Sequence, residues 1–246
     1  IGSEIAAALA LQGCQVTMLF PDEGIGSRLF PADLAQFLVG YYRDKGVDVR
    51  PGERVSDIQR RGSELEVATA GGLRVEVEAV VAGIGIVPET ALAQAAGLLV
   101  DDGIVVNEHL RTSHPDLFAA GDVARILVPA LGKSMRFEHE DNALTMGRAA
   151  GRAMAGDPTP YTHLSSFYSD LFDLGYEAVG EIDPRGELVE DWKEPFREGV
   201  VYYLAGGRVR GVLLWNVWGQ VDSARALIAA PGPFSAADLV GRLPAS

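Results

Sequence analysis

Apolar positions recur along the chain at two spacings, and the changes between them mark its elements. Ile1, Ile5, Ala6 and Leu9 follow a helical period, and Gly13 stands where a helix C-cap would fall. Gln15 to Phe20 is then a short apolar run of the kind that forms a buried strand. A second helical pattern, Leu34, Phe37, Leu38, Tyr41 and Tyr42, predicts a helix over 32–45 that ends at Gly46, and Val47 to Arg50 predicts a strand. Three alternating runs follow, over 54–60, 64–70 and 73–81. Gly62-Ser63 and Gly71-Gly72 separate them, as in a small antiparallel meander. Ala79 to Ile84 becomes continuously apolar and is expected to be a strand. It stops at Gly83-Ile84-Gly85, which suits either close approach of a ligand to the backbone or a tight turn.

A new segment starts near Asp101. Leu117 to Ala120 predicts a buried strand that stops at Gly121-Asp122, and a helix is expected from about Glu140, with Asn142, Ala143, Met146, Ala149, Ala150 and Met154 on its packing face. Gly156 to Pro160 forms a natural boundary. Beyond it, strands are expected over 176–182, 199–204 and 208–217, with Gly206-Gly207 turning the last two into a hairpin. Two short helices, over 220–229 and 235–241, complete the pattern. The segments are 1–100, 101–158 and 159–246, with no internal repeat.

Bulk composition narrows the function classes. The 246 residues are 48% hydrophobic with 29 glycines, a folded composition. A net charge of −13 opposes nonspecific nucleic-acid binding and docking on anionic membranes. No apolar run is long enough for a membrane span. The one cysteine, Cys14, leaves no internal disulfide, no CxxC redox pair and no cysteine-rich metal site. It is expected to be a small core residue, and a reducing, cytoplasmic setting follows.

Candidate chemistry gathers at strand ends and helix starts, where open α/β folds bind ligands. In Leu110 to Asp122 (LRTSHPDLFAAGD) the glycine admits a ligand to the backbone, and Asp122 would begin a helix; an ordinary strand followed by an N-cap fits equally. Asp22 lies about twenty residues beyond Gly2, the interval a Rossmann unit keeps between its last motif glycine and the acid on the adenosine ribose. An exposed loop carboxylate and a glycine for close helix–strand packing would also account for the pair. Arg136 to Asp141 precedes a helix, whose N-terminus favours anionic or electron-rich ligands; His139 suits such a site or a structural role.

Several stretches together resemble the apoptosis-inducing-factor branch of the FAD-dependent pyridine-nucleotide oxidoreductases. They are LFPDEG (19–24) with Arg28 and Pro31, AGIGIVP (82–88), FAAGD (118–122), EHEDNA (138–143) with Gly147-Arg148 and Ala150-Gly151, FYSD (167–170) with GYEAVG (175–180), and GVVYYL (199–204) with VLLWN (212–216). They run in the family's order over nearly the whole chain. FAAGD alone is similar only to the broader superfamily's second FAD motif.

The resemblance implies an α/β, Rossmann-type two-dinucleotide-binding flavoprotein: a partial NAD domain (1–100), a second FAD segment (101–158) and a C-terminal α+β domain (159–246). Gly2, Asp22, Arg28 and Gly85 would line the NAD site, with Asp22 on the ribose hydroxyls. Its carboxylate favours NADH over NADPH, although Arg28 could accept a 2′-phosphate. Glu4 would lie by the nicotinamide and the flavin edge, and Gly121 and Asp122 by the ribityl chain. His139 and Glu140 would contact the isoalloxazine, with Glu4 and His139 as the catalytic candidates. Glu138, Glu177 and Asn216 would face the nicotinamide, and Tyr168 replaces the family's usual tryptophan over the cofactors. The implied activity moves hydride from NAD(P)H to FAD and then electrons to an unidentified acceptor, such as a ferredoxin or a quinone. No metal is called for, and a homodimer is compatible.

Two departures stand out. The stretch between Asp183 and Glu198 leaves no room for the long insertion of the animal proteins, and the acidic balance opposes their DNA binding. The chain opens inside a helical pattern without Met, so it is expected to be a fragment that binds FAD poorly and is inactive by itself. The competing readings are a ferredoxin or rubredoxin reductase, an NADH-responsive redox sensor or scaffold, and a plain Rossmann binding module. A disulfide reductase fits less well, since no histidine follows His163.

Overall fold

The computed structural model describes residues 1–243, which divide into two compact units. The first comprises 1–85, 169–175 and 183–185; the second comprises 86–168, 176–182 and, among the described residues, 186–243.

The first unit opens with α1 (Gly2–Leu11), which leads into β1 (Thr17–Phe20), α2 (Ala32–Asp44) and β2 (Asp48–Pro51). β1 and β2 pair in parallel, with Met18 opposite Val49, and α2 crosses between them. Pro31 precedes α2, where its missing N–H costs nothing. Leu34, Ala35, Leu38, Val39, Tyr41 and Tyr42 are buried along one helix face. Gly46, at φ +88°, ends the helix in the left-handed region that a side chain would oppose. β3 (Val55–Arg61), β4 (Glu64–Thr69) and β5 (Arg74–Val77) form the expected antiparallel meander.

Residues 169–175 complete this unit. Phe172 meets the rings of Tyr41 and Tyr42 edge-on, at 5.9 and 5.0 Å between centroids. The Tyr41 hydroxyl donates to the Asp173 carboxylate, which also pairs with Lys45 at 2.5 Å.

The second unit begins with α3 (Ala91–Ala95) and β6 (Ile104–Val105), and a 3-10 turn (Gly121–Val123) leads into β7 (Ala124–Val128) and β8 (Lys133–Met135). β7 pairs with β6 in parallel and with β8 antiparallel. Then come α4 (Glu140–Met154), β9 (Ser166–Leu171), β10 (Leu174–Gly180), β11 (Glu187–Glu194), β12 (Glu198–Ala205), β13 (Arg208–Trp215), α5 (Val221–Ala229) and α6 (Ala236–Leu239). The five last strands form one sheet in the order β11-β12-β13-β10-β9. Gly206 and Gly207, both at positive φ, make the tight turn of the β12–β13 hairpin. Met146 of α4, Tyr202 of β12, Leu214 of β13 and Ile228 of α5 are fully buried in one continuous apolar core. α6 starts on a reciprocal Ser235–Asp238 capping box.

Three expectations are corrected. Ala79 to Ile84 forms no strand, and Ile84 is 92% exposed. A strand needs a ladder partner, and no described segment pairs with this one. Leu117 to Ala120 makes only a single bridge, Arg111 to Phe118, and Leu117 is exposed. Local bonds to the loop backbone, Thr112 N–H to Leu117 O and Ala119 N–H to Leu110 O, take the place of a ladder. Cys14 is exposed rather than buried, because α1 stops at Leu11 and Cys14 lies in the turn beyond it.

Candidate functional site

In the first unit, the candidate residues gather at element ends. Gly2 opens α1, and a Cβ built on Gly83 would stand 3.2 Å from the Gly2 amide nitrogen. Two backbones therefore approach where a side chain on Gly83 would intrude. Gly85, two residues on, has φ +91°. Asp22 lies just past β1, where its carbonyl accepts the Gly52 N–H at 3.1 Å. Its carboxylate is 3.4 Å from Nε of Arg28, and both groups reach solvent. Glu4 lies in the first turn of α1.

In the second unit, one arginine that sequence reasoning did not single out joins two of the candidates, Asp122 and Glu138. Gly121, at φ +76°, makes the sharp turn of the 3-10 segment, and a Cβ there would touch Ala143 of α4 at 3.6 Å. Asp122 follows, exposed. The Arg136 guanidinium donates to the Asp122 carbonyl at 2.9 Å and pairs with the Glu138 carboxylate at 2.7 Å. It therefore joins the FAAGD turn to the approach of α4. Its side chain is only 10% exposed and runs beneath Gly103, where a Cβ would come within 2.9 Å of the Arg136 Cδ.

His139 is the N-cap residue of α4, and Glu140 begins the helix, exposed. The imidazole stacks on the Phe167 ring at 4.4 Å and 18°. Burial lowers its pKa, outweighing the opposing influence of the Glu138, Asp122 and Asp141 carboxylates, and so favours the neutral ring. From Phe167 the rings continue edge-on to Tyr176 at 6.0 Å, and Tyr176 lies parallel to the buried Trp215 at 5.8 Å. Tyr168, the residue named from the sequence, is 63% exposed; its neighbour Phe167 makes the stack. Neighbouring strand residues face opposite ways, which accounts for the difference.

Glu177 stands on β10 opposite Leu214, and one of its carboxylate oxygens is buried without a hydrogen-bond partner. A buried acceptor of this kind suits a ligand amide or hydroxyl. Asn216, at φ +49° just past β13, donates from its side chain to the Arg197 carbonyl at 2.9 Å. Within the second unit, the orphaned Glu177 oxygen and the exposed Asp122 carboxylate are acceptors of the kind a cofactor's amide and hydroxyl groups require. Among the described residues no helix is long and apolar enough to cross a membrane.

Beneath the start of α4 lies a group that sequence reasoning missed. Asp141 Oδ2 accepts from His163 Nε2 at 2.7 Å, the Ser166 amide at 3.0 Å, the Ser166 hydroxyl at 3.3 Å and Arg225 Nη2 at 3.0 Å. Only the acid at a helix start was visible in the sequence; its partners lie far along the chain.

The fold is that of a Rossmann-type flavoprotein. The pyridine nucleotide-disulphide oxidoreductase family matches residues 1–147, and the C-terminal family of the mitochondrion-associated apoptosis-inducing factor matches 150–192 and 187–230. The chain belongs to the pyridine nucleotide-disulphide oxidoreductases, in their apoptosis-inducing-factor-like branch. It is 32% identical over 249 residues to apoptosis-inducing factor 1, mitochondrial, of Dictyostelium discoideum, with 93% of this chain and 47% of that protein covered. It is likewise 32% identical over 215 residues to putidaredoxin reductase of Pseudomonas putida, covering 86% of this chain and 51% of the relative. The covalent putidaredoxin reductase–putidaredoxin complex superposes with a TM-score of 0.84 at 31% identity, over 93% of this chain and 56% of that one. The chain spans about half the length of the curated relatives it matches.

Proposed function

We propose that this chain contributes the NAD-binding and second FAD-binding segments of an FAD-dependent NADH oxidoreductase, together with its C-terminal α+β domain. The reading rests on one observation above all: Arg136 joins the Asp122 turn and the Glu138-His139 approach to α4. FAD, when bound, supplies an acceptor for hydride and a carrier that releases electrons singly or in pairs. In this reading residues 1–100 hold NADH, 101–158 hold part of FAD, and 159–246 cover the reacting region.

Each side chain has a binding or orienting task. Asp22 accepts hydroxyls of the adenosine ribose, and its charge disfavours a 2′-phosphate. Gly2 and Gly85 keep side chains clear of the dinucleotide, and Glu4 lies by its nicotinamide end. Gly121 turns the backbone so that Asp122 faces the ribityl hydroxyls. His139, kept neutral by burial, offers a flat ring and no charge to the isoalloxazine, beside Glu140. Glu138, Glu177 and Asn216 present oxygen and amide groups to the nicotinamide, and Tyr168 covers the cofactors. Close packing of the aromatic rings excludes water from the reacting face.

The acceptor is best read as a small ferredoxin-type iron–sulfur protein, because putidaredoxin reductase and the ferredoxin reductase component of a dioxygenase are among the relatives. An anaerobic NADH titration of the protein from its complete coding sequence tests the main reading. Bleaching of the flavin band at one equivalent supports it, and a colourless protein that takes up no FAD overturns it. Reduction of a ferredoxin-type protein at a rate far above that of a quinone tests the choice of acceptor.

A further inference from the structure

The Asp141 carboxylate is the junction between the two segments that carry the stacked His139 and Phe167 rings. Asp141 is two residues beyond His139, and Ser166, which donates to it from both amide and hydroxyl, directly precedes Phe167. Two further donors fix the carboxylate from the side: His163 Nε2 at 2.7 Å and Arg225 Nη2 at 3.0 Å. Arg225 is held in turn by the Leu164 carbonyl at 2.9 Å and by Asp222 at 2.8 Å. A second tie runs alongside, since the Thr145 hydroxyl donates to the Asp141 carbonyl at 2.6 Å and lies 2.9 Å from the Tyr161 hydroxyl.

The neighbouring acids do not share this arrangement. Glu140 is exposed, and Glu138 is engaged by Arg136. Burial by itself would raise the Asp141 pKa. The His163 and Ser166 hydrogen bonds and the nearby positive charge of Arg225 outweigh it, so the group lies below the usual carboxylate range. An ionised carboxylate accepting four bonds from two chain segments is a stiff connector.

We propose that Asp141 is a positioning residue: with His163, Ser166 and Arg225 it sets the His139–Phe167 stack and so the face presented to the flavin. It acts through His139 and does not itself touch the cofactor. The flavin-facing part of this inference rests on the function proposed above; the setting of the stack does not.

The test uses the protein from its complete coding sequence and two readouts. The first is the imidazole Cε1–H resonance of His139 by NMR, assigned by its disappearance in His139→Gln. A ring stacked on Phe167 shifts this proton upfield. Asp141→Asn keeps the shape of the side chain but loses its charge, and should move the signal downfield towards an unstacked histidine. Asp222→Ala, which removes only an exposed partner of Arg225, should leave it in place. The second readout is FAD affinity from fluorescence quenching, expected to weaken about tenfold, or about 1.4 kcal/mol. General destabilisation would lower the urea midpoint without moving the resonance of the folded protein.

An unmoved His139 signal in folded Asp141→Asn overturns the proposal. If that variant does not fold, His163→Leu removes the shortest bond while retaining the Arg225 pair, and the same criterion applies. Failure of the flavin reading is distinguishable, because the wild type would then bind no FAD while the His139 signal still decides the role of Asp141.

Discussion

Arg136→Met is the perturbation that most directly probes how the Asp122 turn is held to the approach of α4. Methionine retains most of the stem beneath Gly103 but loses the guanidinium. The charge-assisted bond to the Asp122 carbonyl, at 2.9 Å, should account for about 1.5–3 kcal/mol. The Glu138 pair is close, at 2.7 Å, but that carboxylate is partly exposed, so about 0–1 kcal/mol is added. Asp102, at 3.6 Å and more exposed still, adds little. In the opposite direction, Arg136 Nε is buried without a partner, and its removal relieves about 1 kcal/mol. The net loss is therefore about 0.5–3 kcal/mol. With a urea slope of about 2 kcal/mol/M, the midpoint should fall by roughly 0.25–1.5 M. Arg136→Lys should fall between the two, because an ammonium can meet one acceptor but lacks the planar fork. Flavin retention on gel filtration should decrease in the same order. A methionine variant whose midpoint lies within about 0.2 M of wild type and whose FAD content is unchanged would refute the claim that this arginine joins the two segments.

Asp122→Ala should lose flavin on gel filtration, and full retention would remove the ribityl role from this residue. Asp22→Arg should raise kcat/KM for NADPH relative to NADH by about tenfold or more; an unchanged ratio would reject the ribose assignment. The third prediction concerns acid stability. Lys45 first, and then the Tyr41 hydroxyl, hold the Asp173 pKa down at about 2, below its ordinary 3.8. A depressed folded-state value means that the stabilising contribution is complete above about pH 4 and disappears as pH falls towards 2. The gap in urea midpoint between wild type and Asp173→Asn should narrow over that interval, and a constant gap would show that the charge is irrelevant.

The parts legible in the sequence were those governed by local rules. The amphipathic stripe of α2, the glycine turns of the β3–β5 meander, the Gly206-Gly207 hairpin and the start of α4 all appear where periodicity and turn chemistry placed them. Strand pairing is less local. Ala79 to Ile84 has strand composition but no ladder partner, whereas β7 and β11 form because β6 and β12 are there to pair with them. The site divides in the same way. Gly121, Asp122 and His139 carry recognisable local patterns. Arg225 is 84 residues from Asp141, and nothing in either neighbourhood announces their bond. Which of Phe167 and Tyr168 stacks on His139 was not legible, because strand alternation is certain but its phase depends on the sheet.

The clasp of Phe172 and Asp173 on α2 has a consequence for biosynthesis. Tyr41 and Asp173 are 132 residues apart, so α2 leaves the ribosome long before its cover exists. At ~5–20 residues per second the delay is roughly 7–26 s. During that interval Tyr41 and Tyr42 have no Phe172 ring to pack against, and the first unit is a nascent intermediate with an exposed aromatic face. A chain that stalls before residue 173 would display that face indefinitely, a surface chaperones and proteases are well suited to engage.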